Sequence, residues 1–396
     1  MDNTQKFSEE LVKPQKLGLD QERLNRLKKT IESDINKGTY DGAVFIVARH
    51  GKIAMHEAVG RTDLEKNRQA KRDDVFFIMS ITKQFTTTKV LMDMEKGKYN
   101  LNTPICKIIP EFRIKGKQRV TLGHLLTHTS GLNTEIPFSL SIRKLADIEA
   151  VVAAVSNERL LNLPETMVSY NAVAAFSLLG AMVQRTDENQ RPFRQILKED
   201  IFLPLGMKDT ALGLPDELKP RIVPVKIRDT TPGLFEPLLL ESMNSLAKED
   251  TELPAGGAVS TALDVFRFSE MLRRGGELDG ARILSPQTIK LATTIHTADM
   301  PNNLFDYCRE MYGWPVFPAN LGLSFFIRGE GIFPTIHGLA ASPSTFAGLG
   351  AGSTMFWIDP ERDLIFVFLS AGLLEEGHNV LRLQRLSDLV IASLTD

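Results

Sequence analysis

Ser80 and Lys83 lie three residues apart in Met79-Ser80-Ile81-Thr82-Lys83-Gln84-Phe85, just ahead of a run, Thr86 to Met94, that reads as helix. On a helix, residues at that spacing share a face, with about 5–6 Å between their β-carbons. A hydroxyl and an amine can therefore touch. Serine is a poor nucleophile at its free pKa, and a lysine whose ammonium form is disfavoured by burial can take its proton. The S-x-x-K spacing is thus a device for acyl transfer as well as a string. An N-cap serine followed by a solvated lysine gives the same four letters, so the weight falls on what accompanies them.

Three other stretches bear on that chemistry. Tyr170, in Met167-Val168-Ser169-Tyr170-Asn171, precedes an apolar helix. Its phenol serves as a base only where positive charge stabilises the phenolate, which Lys83 could supply; a core tyrosine is the plainer reading. The run Phe346-Ala347-Gly348-Leu349-Gly350-Ala351-Gly352-Ser353-Thr354 leads into a strand. Glycines at a strand edge let a substrate approach backbone N–H groups of the kind that stabilise an oxyanion, although a bulge or loop is their commoner use. His124-Leu125-Leu126-Thr127-His128-Thr129-Ser130-Gly131 carries two histidines without a third ligand or an H-E-x-x-H pattern. It reads as a turn that ends a helix and supports the site.

The elements that must position these groups follow from periodicity. Asp20 can cap a helix in which Leu24, Leu27, Ile31 and Ile35 recur at spacings of three and four, ending near Gly38. Ala43–Ala48 and Ile53–Val59 read as a hairpin turning at Arg49–Lys52. From Ser80 to about residue 225 the pattern is helix and loop, with helices over Thr121–Leu126, Ile148–Val155, Ala172–Val183 and Phe193–Leu203. A further helix spans Thr261–Arg273, strands span Ser353–Ile358 and Leu364–Ser370, and a last helix carries Leu381, Leu386, Leu389, Val390 and Leu394. Strands at both chain ends around a helical middle predict an α/β (α+β) protein. Residues 1–75 and 226–396 form its sheet domain and residues 76–225 a mainly helical domain, with the site between them. Residues 225–252 read as a covering loop.

Bulk properties narrow the partners. The chain has 396 residues, 43% hydrophobic and 24% charged, with 47 basic against 49 acidic side chains. A net charge of −2 gives no electrostatic reason to expect nucleic acid. Apolar runs such as Leu364–Leu369 are far shorter than the roughly 18 residues a membrane span needs. The two cysteines, Cys106 and Cys308, form no C-x-x-C pair, and the N-terminus lacks a secretory layout. A small-molecule substrate and a cytoplasmic setting are expected, with no cofactor and no metal.

Taken together these pieces resemble the serine β-lactamase and penicillin-binding-protein superfamily, in the class C-like branch that includes D-alanyl-D-alanine carboxypeptidases, family VIII esterases and statin side-chain acyltransferases. Besides Ser80-x-x-Lys83 the resemblance rests on Leu125-Leu126-Thr127-His128-Thr129-Ser130-Gly131-Leu132 and on Pro204-Leu205-Gly206-Met207 with Asp209-Thr210. Gly256-Gly257 with Ser260-Thr261 and Asp264, and Trp357-Ile358-Asp359-Pro360-Glu361-Arg362, complete it. It implies a β-lactamase/transpeptidase-like fold: an antiparallel sheet flanked by terminal helices, plus an inserted helical domain. It also implies an acyl-enzyme on Ser80, with Lys83 and Tyr170 moving the proton and backbone N–H groups of Ser80 and Ala351 forming the oxyanion hole.

Two departures from the family pattern bear on substrate. Tyr-x-Asn is replaced by Tyr170-Asn171-Ala172, which puts in doubt the asparagine expected to hold substrate. Where β-lactamases carry Lys-Thr-Gly, counting back from Trp357 gives Gly348-Leu349-Gly350; a register two residues earlier, Phe346-Ala347-Gly348 with Leu349 as donor, is also open. Neither supplies the lysine that helps bind a substrate carboxylate. The expected activity is a carboxylesterase on hydrophobic esters or lactones. An acyltransferase using the same acyl-enzyme is the alternative, ahead of β-lactamase or peptidase action. Specificity is expected from residues 133–145, 225–252 and 300–345.

Overall fold

The computed structural model describes residues 7–135, 140–233 and 236–396. Its main sheet has seven strands: β1 (Gly42–Arg49), β2 (Lys52–Asp63), β3 (Arg68–Gln69), β4 (Phe326–Ile327), β5 (Phe346–Gly350), β6 (Thr354–Asp359) and β7 (Leu364–Ala371). Their order is β3-β2-β1-β7-β6-β5-β4, antiparallel throughout. The N- and C-terminal portions thus meet at β1 and β7, where Phe45 pairs with Phe368. The β1–β2 turn uses His50 and Gly51, both at positive φ, which suits the twist of a tight hairpin.

The central strands are buried on both faces, and their alternation sorts side chains into two cores. Val44 and Ile46 of β1, Phe356 and Ile358 of β6 and Val367 and Leu369 of β7 belong to one. Phe45, Val47, Met355, Trp357, Phe366 and Phe368 belong to the other. The second core is closed by the terminal helices α1 (Gln21–Asn36) and α7 (Glu376–Ile391), which supply Leu24, Leu27, Ile31, Leu383 and Leu386. Trp357 Nε1 donates to Ser387 Oγ at 2.9 Å, tying sheet to helix. Asp20 caps α1 by accepting from the Arg23 N–H at 2.9 Å, as its position ahead of the apolar stripe suggests.

The first core runs on through α6 (Ala262–Arg273) into the helical region, where α2 (Thr82–Glu95), α3 (Leu122–Leu126), α4 (Ile148–Asn157) and α5 (Ala172–Arg185) supply Phe85, Leu125, Val151, Phe176 and Leu179. The seam expected between two domains is therefore crossed by one continuous apolar cluster. Helix α2 is buried nearly all round. Its threonines make that tolerable by giving each hydroxyl a partner: Thr82 donates to the Met79 carbonyl at 2.7 Å, Thr86 to the Pro254 carbonyl at 2.9 Å, Thr87 to Ser324 Oγ at 2.9 Å.

Several elements differ from expectation. The helix expected over Phe193–Leu203 is α-helical only to Leu197 and then passes through a π turn, Lys198–Phe202, in which the Leu203 N–H reaches the Lys198 carbonyl at 2.9 Å. Ser353 sits in the β5–β6 turn, because Gly352 at φ +64° reverses the chain there, and β6 starts at Thr354. The 76–225 region is not purely helical: Phe76–Phe77 and Ala211–Leu212 flank Ala258–Ser260 in a three-stranded sheet. Residues 225–252 contain a short helix, Pro237–Glu241, and pack Leu240, Met243 and Ala247 on a separate apolar cluster around Val75 and Phe77. Residues 136–139 and 234–235, which fall in two of the expected specificity loops, lie outside the described residues. No helix among the described residues is long and apolar enough to cross a membrane.

Candidate active site

Ser80 sits in a single 3-10 turn, Met79–Ile81, that runs straight into α2. Met79 is held at φ +49°, a region an L-residue with a side chain seldom adopts. The cost is borne by anchors on both sides: Thr82 holds the Met79 carbonyl, and Thr354 Oγ1 of β6 donates to the Ile78 carbonyl at 2.9 Å. One helical turn on, Lys83 Nζ reaches Ser80 Oγ at 2.8 Å and the Ala255 carbonyl at 2.6 Å. The contact expected from three-residue spacing is present.

Lys83 is 3% exposed, and among the described residues it makes no ion pair with a carboxylate. Burial alone pushes its pKa well below the ordinary value of 10.5. Its ammonium would lie 5.1 Å from the centre of the Tyr170 ring and 5.4 Å from that of Phe176. The Ala255 carbonyl reaches it because Pro254 is clamped between α2 and α5. Thr86 bonds the Pro254 carbonyl, and Gly180 of α5 leaves room for the proline ring, which a β-carbon would approach to 2.7 Å.

Tyr170 lies just ahead of α5 and beside Ser80. Burial raises its phenol to about 12, partly offset by a hydrogen bond with Ser80. These directions oppose the phenolate considered from the sequence. In the free protein the low-affinity proton site is Lys83, and Tyr170 keeps its proton. His128 lies against the Tyr170 ring at 4.7 Å. It is buried, with its pKa lowered to about 3, chiefly by that burial, so it stays neutral. The His128 turn, at φ +57°, holds Ser169 by a backbone bond of 2.8 Å and so supports Tyr170, as the sequence suggested.

Asn171 is not where substrate binding would need it. Its side chain is wholly buried; Nδ2 donates to Ser130 Oγ at 3.0 Å and Oδ1 lies 3.3 Å from His128 Nδ1. Moving asparagine to the residue directly after tyrosine sends it into this support network and out of the cleft. The glycine-rich strand does arrive at the serine. At Gly350 a β-carbon would lie 2.5 Å from the Ile78 carbonyl and 3.1 Å from Met79 Cβ; at Gly348 it would meet Phe356 and Gln84 at 2.5 and 2.7 Å. Only glycine allows β5 this close to the Ser80 turn. The Ser80 N–H belongs to the first turn leading into a helix, where donors lack intrahelical partners.

Ser80 and Tyr170 open onto a cleft walled by Leu304, Phe305, Phe326, Leu349, Ala351, Gly352 and, from the start of α7, Glu376, Asn379 and Val380. Leu349 and Ala351, the two candidate donors, both line it, since alternate residues of a strand share a face. Among the described residues the lining contains no lysine or arginine. Of the three expected specificity stretches, only 300–345 reaches it among the described residues, through Leu304, Phe305 and Phe326. Sequence reasoning missed the C-terminal wall. It also missed Arg382, whose buried guanidinium bonds Asn379 Oδ1 at 2.5 Å and the Gly352 carbonyl at 3.3 Å. An arginine three residues after an asparagine on a terminal helix gave no local signal.

Comparison with known proteins adds to this geometry. A family model described as Beta-lactamase matches residues 27–389. Protein Rv1367c of Mycobacterium tuberculosis (strain ATCC 25618 / H37Rv) is 26% identical over 372 residues, covering 86% of this chain and 88% of that one. Esterase EstB of Burkholderia gladioli is 29% identical over 277 residues, covering 63% and 69%. Among solved structures, a penicillin-binding-protein homologue from Caulobacter crescentus superposes with a TM-score of 0.77 at 22% identity over 95% of this chain and 99% of that one. A family VIII carboxylesterase gives 0.73 at 19% identity over 93% and 98%.

Proposed function

The chain belongs to the Beta-lactamase family, and from that premise we propose that it is a serine hydrolase splitting neutral, apolar carboxylic esters or lactones through an acyl-Ser80 intermediate. The observation that carries the reading is the 2.8 Å contact from Ser80 Oγ to a lysine that is buried without a carboxylate. A neutral Lys83 accepts the Ser80 proton as Oγ bonds to the carbonyl carbon. The oxyanion then forms against the Ser80 and Ala351 N–H groups. Tyr170 gives its proton to the departing alkoxide and regains one from Lys83. Water repeats the sequence in reverse, releasing the acid. The esterase identity of a relative with 29% identity agrees with this choice of substrate.

The lining argues for neutral substrates: among the described residues it contains Glu376 and no lysine or arginine to meet a substrate carboxylate. Turnover of p-nitrophenyl butyrate by wild type and Ser80→Ala tests the assignment; equal rates would refute it, and a phosphonate should label Ser80. Transfer of the acyl group to an alcohol is the second reading, favoured by the apolar walls, which limit water at the acyl-enzyme. Product analysis with added alcohols decides between them. Nitrocefin turnover comparable to ester turnover would overturn the preference for esters over β-lactams.

A further inference from the structure

Arg382 of α7 is 5% exposed and, among the described residues, forms no ion pair with a carboxylate. Its guanidinium lies 4.7 Å from the centre of the Tyr40 ring and 5.2 Å from that of Phe368, and Nε meets no acceptor among the described residues. Burial lowers its pKa to about 10, which leaves it charged at neutral pH. A buried charge without an opposite charge lowers stability. Lys83 escapes that penalty by giving up its proton, and Arg382 does not.

What Arg382 holds is the β5–β6 turn. Nη2 donates to the Gly352 carbonyl at 3.3 Å, which also accepts from the Leu374 N–H at 3.0 Å. Nη1 donates to Ser370 Oγ at 3.1 Å, and that hydroxyl donates in turn to the Ser353 carbonyl at 3.0 Å. Ser353 reaches back into the turn twice, through Oγ to the Ala351 carbonyl at 3.2 Å and through its N–H to the Gly350 carbonyl at 3.4 Å. In a planar trans peptide the N–H points opposite to the preceding carbonyl. Holding the Gly350 carbonyl inside the turn therefore sends the Ala351 N–H the other way, and Ala351 lines the cleft.

We propose that Arg382 is a positioning residue of the oxyanion hole: it fixes the turn that carries the Ala351 N–H, and its uncompensated charge meets a counter-charge when the oxyanion forms on the substrate. The inference rests on the acyl-Ser80 reading. Such an interaction strengthens only as the carbonyl oxygen gains charge, so it acts on kcat and hardly on KM.

Arg382→Met keeps the apolar stem and removes the charge and its donors, while the Gly352 carbonyl retains Leu374. On p-nitrophenyl butyrate its kcat should fall about 30-fold or more, with KM within about threefold of wild type. Butylboronic acid, which forms a tetrahedral anionic adduct on a serine hydroxyl, should bind more weakly by about the same factor as kcat falls. Arg382→Lys, which restores a charge without the fork of donors, should recover about threefold or more of the lost kcat. A merely structural arginine predicts a lower denaturant midpoint with wild-type kcat per folded molecule and wild-type boronate affinity; that result overturns the inference and leaves the serine hydrolase intact. Should Arg382→Met fail to fold, Ser370→Ala, which cuts the link from Arg382 to Ser353, should lower kcat about threefold or more, and an unchanged kcat there overturns it equally. Absence of any Ser80-dependent turnover removes the serine reading and this role of Arg382 together.

Discussion

Helix α2 carries two buried lysines six residues apart, and their surroundings divide its length into a reactive end and a structural end. Lys89, 2% exposed, is paired with Asp93 at 2.5 Å and Asp200 at 3.3 Å, and Lys98 joins Asp93 at 3.3 Å. Lys83, as deeply buried, has a hydroxyl, a carbonyl and the faces of two rings. A buried charge needs an opposite charge or it gives up its proton. The same side chain on the same helix is thus an ion-pair partner at one end and, in the proposed mechanism, the base at the other. What separates the two is the supply of carboxylates from other parts of the chain.

The contrast can be broken by removing each lysine in turn. Lys83→Met should lower kcat/KM on p-nitrophenyl butyrate by about 10³ to 10⁴ while leaving a folded protein; a smaller loss than tenfold would mean that another group takes the Ser80 proton. Lys89→Met should do the opposite, costing stability by leaving buried Asp93 with Lys98 as its one remaining cation, an effect below the about 3–5 kcal/mol of a fully unpaired buried charge, read as a drop in the denaturant midpoint. Adding Asp93→Leu should recover part of that loss. If Lys89→Met unfolds at the wild-type midpoint, the pair carries no stability.

Tyr170→Phe tests the other half of the site. It keeps the ring that covers Lys83 but removes the phenolic proton, so kcat on esters should fall about 10²-fold. The fall should shrink with p-nitrophenyl esters, whose leaving group needs no proton, relative to ethyl esters; equal losses on both would deny Tyr170 the acid role.

The smallest effect sharpens the comparison through pH. The folded-state pKa of Lys83 lies below its unfolded value, so between the two the unfolded chain binds more protons and stability rises with pH. Lys83→Met removes that dependence. The melting temperature of the variant relative to wild type should be highest below the depressed pKa and decline as pH climbs toward 10.5. A difference independent of pH would show that Lys83 keeps its proton in the folded state. The same depressed pKa should set the acidic limb of kcat/KM, since protonated Lys83 cannot accept from Ser80.

Much of this organisation was legible before any coordinates. The hairpin, the flanking terminal helices and the Ser80 turn follow from apolar period, turn chemistry and a four-residue spacing, all of which act over one or two turns of chain. Tyr170 and the glycine-rich strand were named from their chemical fitness and the family pattern, and both reach the serine. Asn171 was misplaced because a shift of one residue at the start of a helix turns a side chain by about 100°, from cleft to interior. Glu376, Asn379 and Arg382 were invisible because nothing local marks a terminal helix whose first turn closes a cleft built hundreds of residues earlier.

Sequence alone put a hydroxyl and an amine within reach of each other, since three-residue spacing at a helix start places Ser80 and Lys83 on one face. It also determined the two-faced strands that place β5 within a doubly buried sheet. Tertiary structure decided the surroundings of the amine: they depend on Phe176 and Ala255, 93 and 172 residues away in the chain, and on the carboxylates that reach Lys89 and, among the described residues, not Lys83. Proton affinity and cavity shape are set by the environment converging on a point, and no single stretch of chain contains that environment.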